Sequence, residues 1–246
     1  MDTRLADLDA VIFDMDGVVT ETATVHASAW KKLFDKYLQD RADDGGDAFV
    51  EFDQGSDYER YVDGKNRYDG VRSFLEARGI ELPEGTPDDP PENDTVCGLG
   101  NRKDEYFRAW VEEKGVRAYE STVELIKALK ADSVHIAIVT ASRNADQILA
   151  AAGVADLFEK KVDGLVAAEL GLAGKPDPAT YVEAARMLGV DPAKAAVVED
   201  AISGVESGSR GGFGLVVGVA RSGQADALRK AGADVVVADM GEFLGS

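Results

Sequence analysis

Residues 10–20 read AVIFDMDGVVT, and no other stretch restricts the possible folds of this chain as tightly. Ala10, Val11, Ile12 and Phe13 form a short continuous apolar run rich in β-formers, the pattern of a strand buried on both faces. Two carboxylates follow two positions apart, Asp14 and Asp16, and then Gly17, where a tight turn takes a residue without a Cβ. A strand of this kind lies centrally in a parallel sheet, and open α/β sheets bind ligands at the carboxyl ends of such strands.

Carboxylates this close repel one another unless a cation sits between them or one keeps its proton. With Mg2+ held by carboxylate oxygens and water, one aspartate can attack phosphorus and form an aspartyl-phosphate while the other handles the proton. An Asp-Gly turn that merely closes a strand fits the same residues equally well. Other stretches have to decide between the two.

A chain of 246 residues is long enough for a large core, and at about 150 residues per domain it holds one or two domains. Its 45% apolar and 30% charged residues are ordinary globular composition. No run approaches the ~18 apolar residues of a membrane helix, and a strand this near the N-terminus leaves no room for a signal peptide. The single cysteine, Cys97, excludes an internal disulfide framework and has no histidine near it in sequence. These features lead us to expect a cytoplasmic protein without a membrane partner. Net charge is −19. Such a field repels a nucleic-acid backbone, which is bound through clustered Lys and Arg, so nucleic acid is excluded as a partner.

After Asp16 the segment TETATVHASAWKKLFDKYL predicts a helix with His26, Trp30, Leu33 and Phe34 on one face. On spacing alone His26 reads as a core histidine. Residues 39–57 are acidic and loop-like, with a Gly45-Gly46 break, and a helix carrying Val71, Phe74 and Leu75 should stop at Gly79. The Pro- and Asp-rich residues 81–95 form another loop. Asn101-Arg102-Lys103 should open a helix with the stripe Tyr106, Phe107, Trp110 and Val111. Residues 22–115 then form a helical insertion with its own apolar faces, and residues 1–21 and 116–246 form the α/β core.

From about residue 120 helices and strands alternate. Strands are expected at Val134–Val139, near 160, at Ala195–Val198, Gly214–Val219 and Asp234–Val237. Helices are expected over 121–130, 144–152, 177–188, the glycine-bearing stretch around Gly204 and Gly208, and 223–231. The fold class is α/β, a doubly wound parallel sheet interrupted after its first strand by a helical insertion.

Asp14/Asp16, Thr140, Lys175 and Glu199/Asp200 each end a strand or follow one closely, so a parallel sheet gathers them on one edge. Singly each has an ordinary reading: a turn, a cap, a Lys-Pro loop, an N-cap cluster. Together they supply what phosphoryl transfer needs, which is mostly positioning and compensation of spread-out charge. Thr140 offers a hydroxyl, Ala141 a backbone N–H and Lys175 a cation. Glu199 and Asp200 complete with Asp14 and Asp16 an oxygen cage suited to Mg2+.

DMDGVVT, VTAS, GKP and VVEDA, in this order and spacing, resemble the four motifs of the haloacid dehalogenase superfamily, most closely its β-phosphoglucomutase-like group. The resemblance spans nearly the whole chain. It implies that Asp14 is the nucleophile and Asp16 the general acid/base. Thr140 and Ala141 then hold the transferring phosphate and Lys175 neutralises it. Asp14, Glu199, Asp200 and the carbonyl of Asp16 hold Mg2+. ETATVHASAW resembles the segment in which a threonine hinge and a histidine couple cap closure to proton transfer, which gives Thr20 and His26 functional roles. Ser142, Arg143 and Asn144 match a stretch that contacts the substrate's second phosphate. Arg67 aligns with an arginine that grips the non-transferring phosphate, which a guanidinium can do in bidentate fashion, and Lys103 with a lysine at the sugar.

The insertion is longer than is typical of the group, and the fourth motif reads Glu-Asp-Ala where many relatives have Glu-Asp-Ser. The resemblance implies a sugar phosphatase or phosphomutase whose partner is a small phosphorylated sugar, acting as a monomer or weak dimer. Two other readings stand beside it. A phosphate-ester binding or regulatory module of the same fold would have lost its carboxylates, which are all present. A dehalogenase would have no use for an acid at Asp16.

Overall fold

Ala10–Asp14 forms β1, every residue of it buried, hydrogen-bonded in parallel on one side to β2 (His135–Val139) and on the other to β4 (Ala195–Glu199). Strand β3 (Lys160–Val162) pairs with β2, β5 (Leu215–Val219) with β4, and β6 (Val235–Val237) with β5, all in parallel. The sheet order β3-β2-β1-β4-β5-β6 is that of a doubly wound fold, with β1 at its centre. These relationships come from a computed structural model that describes residue 5, residues 7–221 and residues 223–245. The expected core segments 1–21 and 116–246 include residues 1–4, 6, 222 and 246, which lie outside the described residues.

Two compact units divide the chain: Met1–Thr22 with Val116–Ser246, and Ala23–Gly115. In the first, helices cover both faces of the sheet, which is why its strands are runs of Val, Ile and Ala rather than alternating. Ile12, Ala137, Val139 and Val197 pack with Val162 and with Tyr181, Ala184 and Ala185 of the helix Ala179–Leu188. Val205, Val216 and Leu228 form a second cluster under the helices Ile202–Arg210 and Ala225–Ala231. Where the chain leaves this unit and returns, Glu21 N–H donates to Arg117 O and Tyr119 N–H to Val19 O, both at 2.9 Å. An antiparallel bridge pairs Thr20 with Ala118 between them.

The second unit is helical: α1 (Ala23–Asp43), a π-helical turn (Tyr58–Val62), α2 (Arg67–Ala77) and α3 (Val96–Lys114). Its core is aromatic. Phe34 stacks against Trp30 and Phe52, and Phe74 tilts against Phe34 with ring centroids 4.0 Å apart. Among the described residues no helix is long and apolar enough to cross a membrane.

The structure corrects four expectations. Helix α1 runs on through Asp43, into residues read from sequence as loop. Buried Tyr37 and Leu38 anchor its last turns, and Gln39 bonds Asp43 one turn on. Helix α3 starts at Val96, not Asn101, because Thr95 Oγ1 accepts the Gly98 N–H as an N-cap. Gly98 and Gly100 are poor helix formers that hid this start. Gly100 is glycine because a Cβ there would lie 2.7 Å from the Tyr68 ring. Trp110 departs from the expected apolar stripe of α3 and is 37% exposed, whereas Phe107 and Val111 are buried. A helix at Gly164–Leu170, not expected from the sequence, is held at its start by the Asp163 carboxylate, which accepts the N–H groups of Leu165 and Val166.

Candidate active site

The register of the sheet dictates the site. Asp14 closes β1 opposite Val139 of β2, Thr140 follows Val139, and Glu199 closes β4. Residues separated by up to 185 positions in sequence therefore share one edge. The Lys175 Nζ donates to Asp14 Oδ1 and, at 2.5 Å, to Glu199 Oε1. Contrary to expectation, Lys175 does not closely follow a strand: the helix Gly164–Leu170 separates it from β3, and it sits in the loop before the helix Ala179–Leu188, with a cis peptide bond to Pro176.

This cluster is almost wholly withdrawn from solvent, with Lys175 6% exposed and Glu199 0%. Burial alone would lower the Lys175 ammonium, but Asp14 and then Glu199 outweigh it and hold the group well above its ordinary value. Burial pushes the Asp14 carboxyl well above the usual range; Lys175 opposes this, and Glu199 and Asp16 add to it. Tyr181 Oη also donates to Glu199 Oε1, at 2.9 Å, and the Ala201 N–H donates to Oε2, at 2.9 Å.

Asp16 is fixed by hydroxyls. Its Oδ1 accepts from Thr22 Oγ1, and its Oδ2 from Thr140 Oγ1 at 3.2 Å. Thr20 is wholly buried, its hydroxyl donating to Met15 O at 3.1 Å and lying 2.8 Å from Thr22 Oγ1. It supports the turn after β1 from inside. Gly17 takes φ +82°, and a Cβ there would run into the Asp200 carboxylate. The turn is thus both left-handed and in close approach, the two conditions that call for glycine.

After β2 the backbone folds around Thr140. The Ser142 N–H donates to Thr140 Oγ1 at 3.0 Å and the Asn144 N–H to Ser142 Oγ at 3.1 Å. Ala141, Ser142 and Asn144 are half-buried and Arg143 is exposed.

Ligand atoms of Asp14, Glu199 and Asp200 lie within 4.8 Å of one another. Hard carboxylate oxygens suit Mg2+, which takes one or two carboxylates directly and keeps several waters, so the residues present offer enough ligands for that ion.

The helical unit holds the other sequence candidates. Lys103 Nζ lies 2.6 Å from His26 Nδ1 and 4.9 and 5.3 Å from the ring centres of Trp30 and Phe107. The His26 ring stacks on Phe107 at 4.1 Å. Arg67 pairs with Asp104 at 2.9 Å. Lys65 turns back onto Ser73 Oγ, 2.9 Å away, and burial lowers its ammonium.

Sequence reasoning missed Thr22, Tyr181 and Arg221. Arg221 follows β5, and applying the strand-end rule to that strand would have found it. Tyr181 carries the hydroxyl on a helix face otherwise lined by Ala184 and Ala185, and that lone polar tip was its signal.

A family model for haloacid dehalogenase-like hydrolases matches residues 8–212. A β-phosphoglucomutase of Mycobacterium bovis is 47% identical over 238 residues, covering 96% of this chain and 91% of that protein. A phosphorylated carbohydrates phosphatase of Thermotoga maritima is 29% identical over 231 residues, 94% of each chain. Among solved structures, a β-phosphoglucomutase of Clostridium difficile matches the fold with a TM-score of 0.74 at 24% identity, over 96% of this chain and 92% of that one. With that coverage, and with the four motifs gathered at one sheet edge, the chain is an enzyme of the haloacid dehalogenase-like hydrolase family.

Proposed function

We propose that the protein transfers a phosphoryl group on a small sugar phosphate through an aspartyl-phosphate at Asp14, with a sugar hydroxyl as the acceptor in the manner of a β-phosphoglucomutase. The observation that carries this reading is the buried contact of Asp14 with Lys175, beside Asp16 held by two hydroxyls. An Asp14 carboxylate oxygen attacks phosphorus. The bond from phosphorus to the departing oxygen breaks, and Asp16 gives that oxygen a proton. In the second half a hydroxyl loses its proton to Asp16 and attacks the phosphoaspartate, which frees Asp14. Lys175 offsets charge on the phosphoryl oxygens throughout, and Thr140 with the Ala141 N–H orients them. Mg2+, held by Asp14, Asp200 and the carbonyl of Asp16, supplies further positive charge beside the phosphoryl group when bound.

Ser142, Arg143 and Asn144 are proposed to contact the second phosphate. Arg67, Lys103 and His26 of the helical unit are proposed to select the sugar, with Thr20 supporting the turn. The similarity to a β-phosphoglucomutase over nearly the full length of both proteins supports the sugar acceptor over water. A single buried cysteine supports a reducing compartment, the cytoplasm.

Incubation with β-glucose 1-phosphate, Mg2+ and a trace of the 1,6-bisphosphate tests the reading. Glucose 6-phosphate is the expected product. Release of inorganic phosphate in its place would reassign the enzyme as a phosphatase, and no turnover of any sugar phosphate would overturn the reading.

A further inference from the structure

The bonding of Glu199 argues against a metal-binding role. Both of its oxygens are engaged by protein donors: Oε1 by Lys175 Nζ at 2.5 Å and Tyr181 Oη at 2.9 Å, Oε2 by the Ala201 N–H at 2.9 Å. The side chain is fully buried, and a Cβ on Gly204 of the helix Ile202–Arg210 would run into its carboxylate. That helix thus leaves a notch in which the carboxylate rests. Asp200, the next residue, is half-buried and turned toward Gly17 at the β1 turn. Adjacent acids at the end of β4 thus face different surroundings.

During the proposed reaction Asp14 alternates between a carboxylate and a phosphoaspartate, so the negative charge facing the buried Lys175 ammonium moves from a carboxylate oxygen to phosphoryl oxygens. A second carboxylate that never reacts keeps the ammonium in one place through that change, and it must itself be held still. Tyr181 meets that need, since its ring is buried among Ile12, Ala137 and Val197 and its hydroxyl is aimed at Glu199 Oε1.

We propose that Tyr181 and Glu199 form a holder for Lys175, and that Glu199 is a positioning residue rather than a ligand of the metal. The proposal rests on the phosphoryl-transfer reading of the site, and its test separates the two. Mn2+ binding is measured without substrate, by the loss of the free-ion electron paramagnetic resonance signal, for the wild type and for Glu199→Gln, Tyr181→Phe and Asp200→Asn. Glu199→Gln and Tyr181→Phe are expected to keep the Mn2+ Kd within about threefold of wild type, while Asp200→Asn, which loses a direct carboxylate ligand, weakens it by about tenfold or more.

In turnover of β-glucose 1-phosphate, Tyr181→Phe should lower kcat by about tenfold, the effect of one charge-assisted hydrogen bond, with KM unchanged. Glu199→Gln should lower kcat further. Weakening of Mn2+ by Glu199→Gln to the same extent as by Asp200→Asn would overturn the proposal, as would a Tyr181→Phe variant with wild-type kcat. If Glu199→Gln does not fold, Tyr181→Phe carries the test. Failure of the wild type to turn over sugar phosphates would instead sink the functional reading, and the Mn2+ comparison would still decide the role of Glu199.

Discussion

Arg221 donates its Nε–H to the carbonyl oxygen of Gly17 at 3.0 Å, joining the end of β5 to the turn that follows β1 across 204 positions of sequence. Its Nη1 pairs with Asp239 at 2.6 Å, and the guanidinium lies 3.6 Å above the Tyr119 ring. A flat fork is needed for three contacts in three directions, and a lysine cannot make them. Arg221→Lys and Arg221→Ala should both destabilise the protein by about 2 kcal/mol, since each removes a hydrogen bond made by a charged group. Both should also lower kcat, because the turn carrying Asp16 loses its brace. Thermal unfolding and turnover measured on the same preparations check this, and an Arg221→Lys variant that matches the wild type in both would refute it.

Asp14 gives a stability prediction whose sign is fixed by its raised carboxyl. The folded chain holds that proton more tightly than the unfolded chain, where an aspartate titrates near about 3.9. As pH rises above that value the metal-free protein loses stability, until Asp14 ionises in the folded state as well. Asp14→Asn carries no such proton. The melting temperature of the metal-free variant should therefore fall less between pH 4 and pH 7 than that of the wild type, while turnover is abolished. Calorimetry across that range decides, and a variant that falls as steeply as the wild type would contradict the burial argument.

Gly17→Ala combines two costs. The left-handed backbone is worth about 1 kcal/mol against an L side chain, and the added Cβ displaces the Asp200 carboxylate. The variant should fold with a slightly lower melting temperature and bind Mn2+ about tenfold more weakly, as titration calorimetry would report.

The helical unit should depend on its aromatic cluster. Phe74 is fully buried against Phe34 and Phe52, and Phe74→Ala should cost about 3–5 kcal/mol. At about 2–4 °C for each kcal/mol, the melting transition should fall by about 6 °C or more. Urea unfolding monitored by tryptophan fluorescence gives an independent value.

Lys103 Nζ, 2.6 Å from His26 Nδ1, fixes a tautomer. An ammonium only donates, so Nδ1 must accept and the ring proton must reside on Nε2. Nitrogen chemical shifts of labelled histidine should show this form at neutral pH, and Lys103→Met should release it to a mixture of tautomers.

The strands of the sheet were legible because β-branched runs bounded by glycine and acids have few other uses, and the strand-end rule then gathered Asp14, Thr140 and Glu199, whereas Lys175 reaches them from a loop between two helices that the rule does not cover. Helix starts were harder. Gly98 and Gly100 concealed the first turns of α3 because their value lies in contacts with Asn93 and Tyr68 that no local pattern encodes. The extension of α1 was hidden in a similar way, its acidic last turns having the composition of a solvated loop while Tyr37 and Leu38 anchor them. In the site, the four motifs declared the residue types but not their pairing. Sequence placed Glu199 beside Asp200 as an equal, and only the positions of Tyr181, Ala201 and Gly204 distinguish the two.

The bridge between Thr20 and Ala118 has an evolutionary corollary. Because the outgoing and returning segments are stapled side by side, everything from Ala23 to Gly115 begins and ends at neighbouring points of the sheet unit, whatever its length. Residues can be gained or lost in the acidic loop or the proline-rich loop without shifting the strands that carry the chemistry. Insertions there are thus uncoupled from the sheet edge that gathers the four motifs.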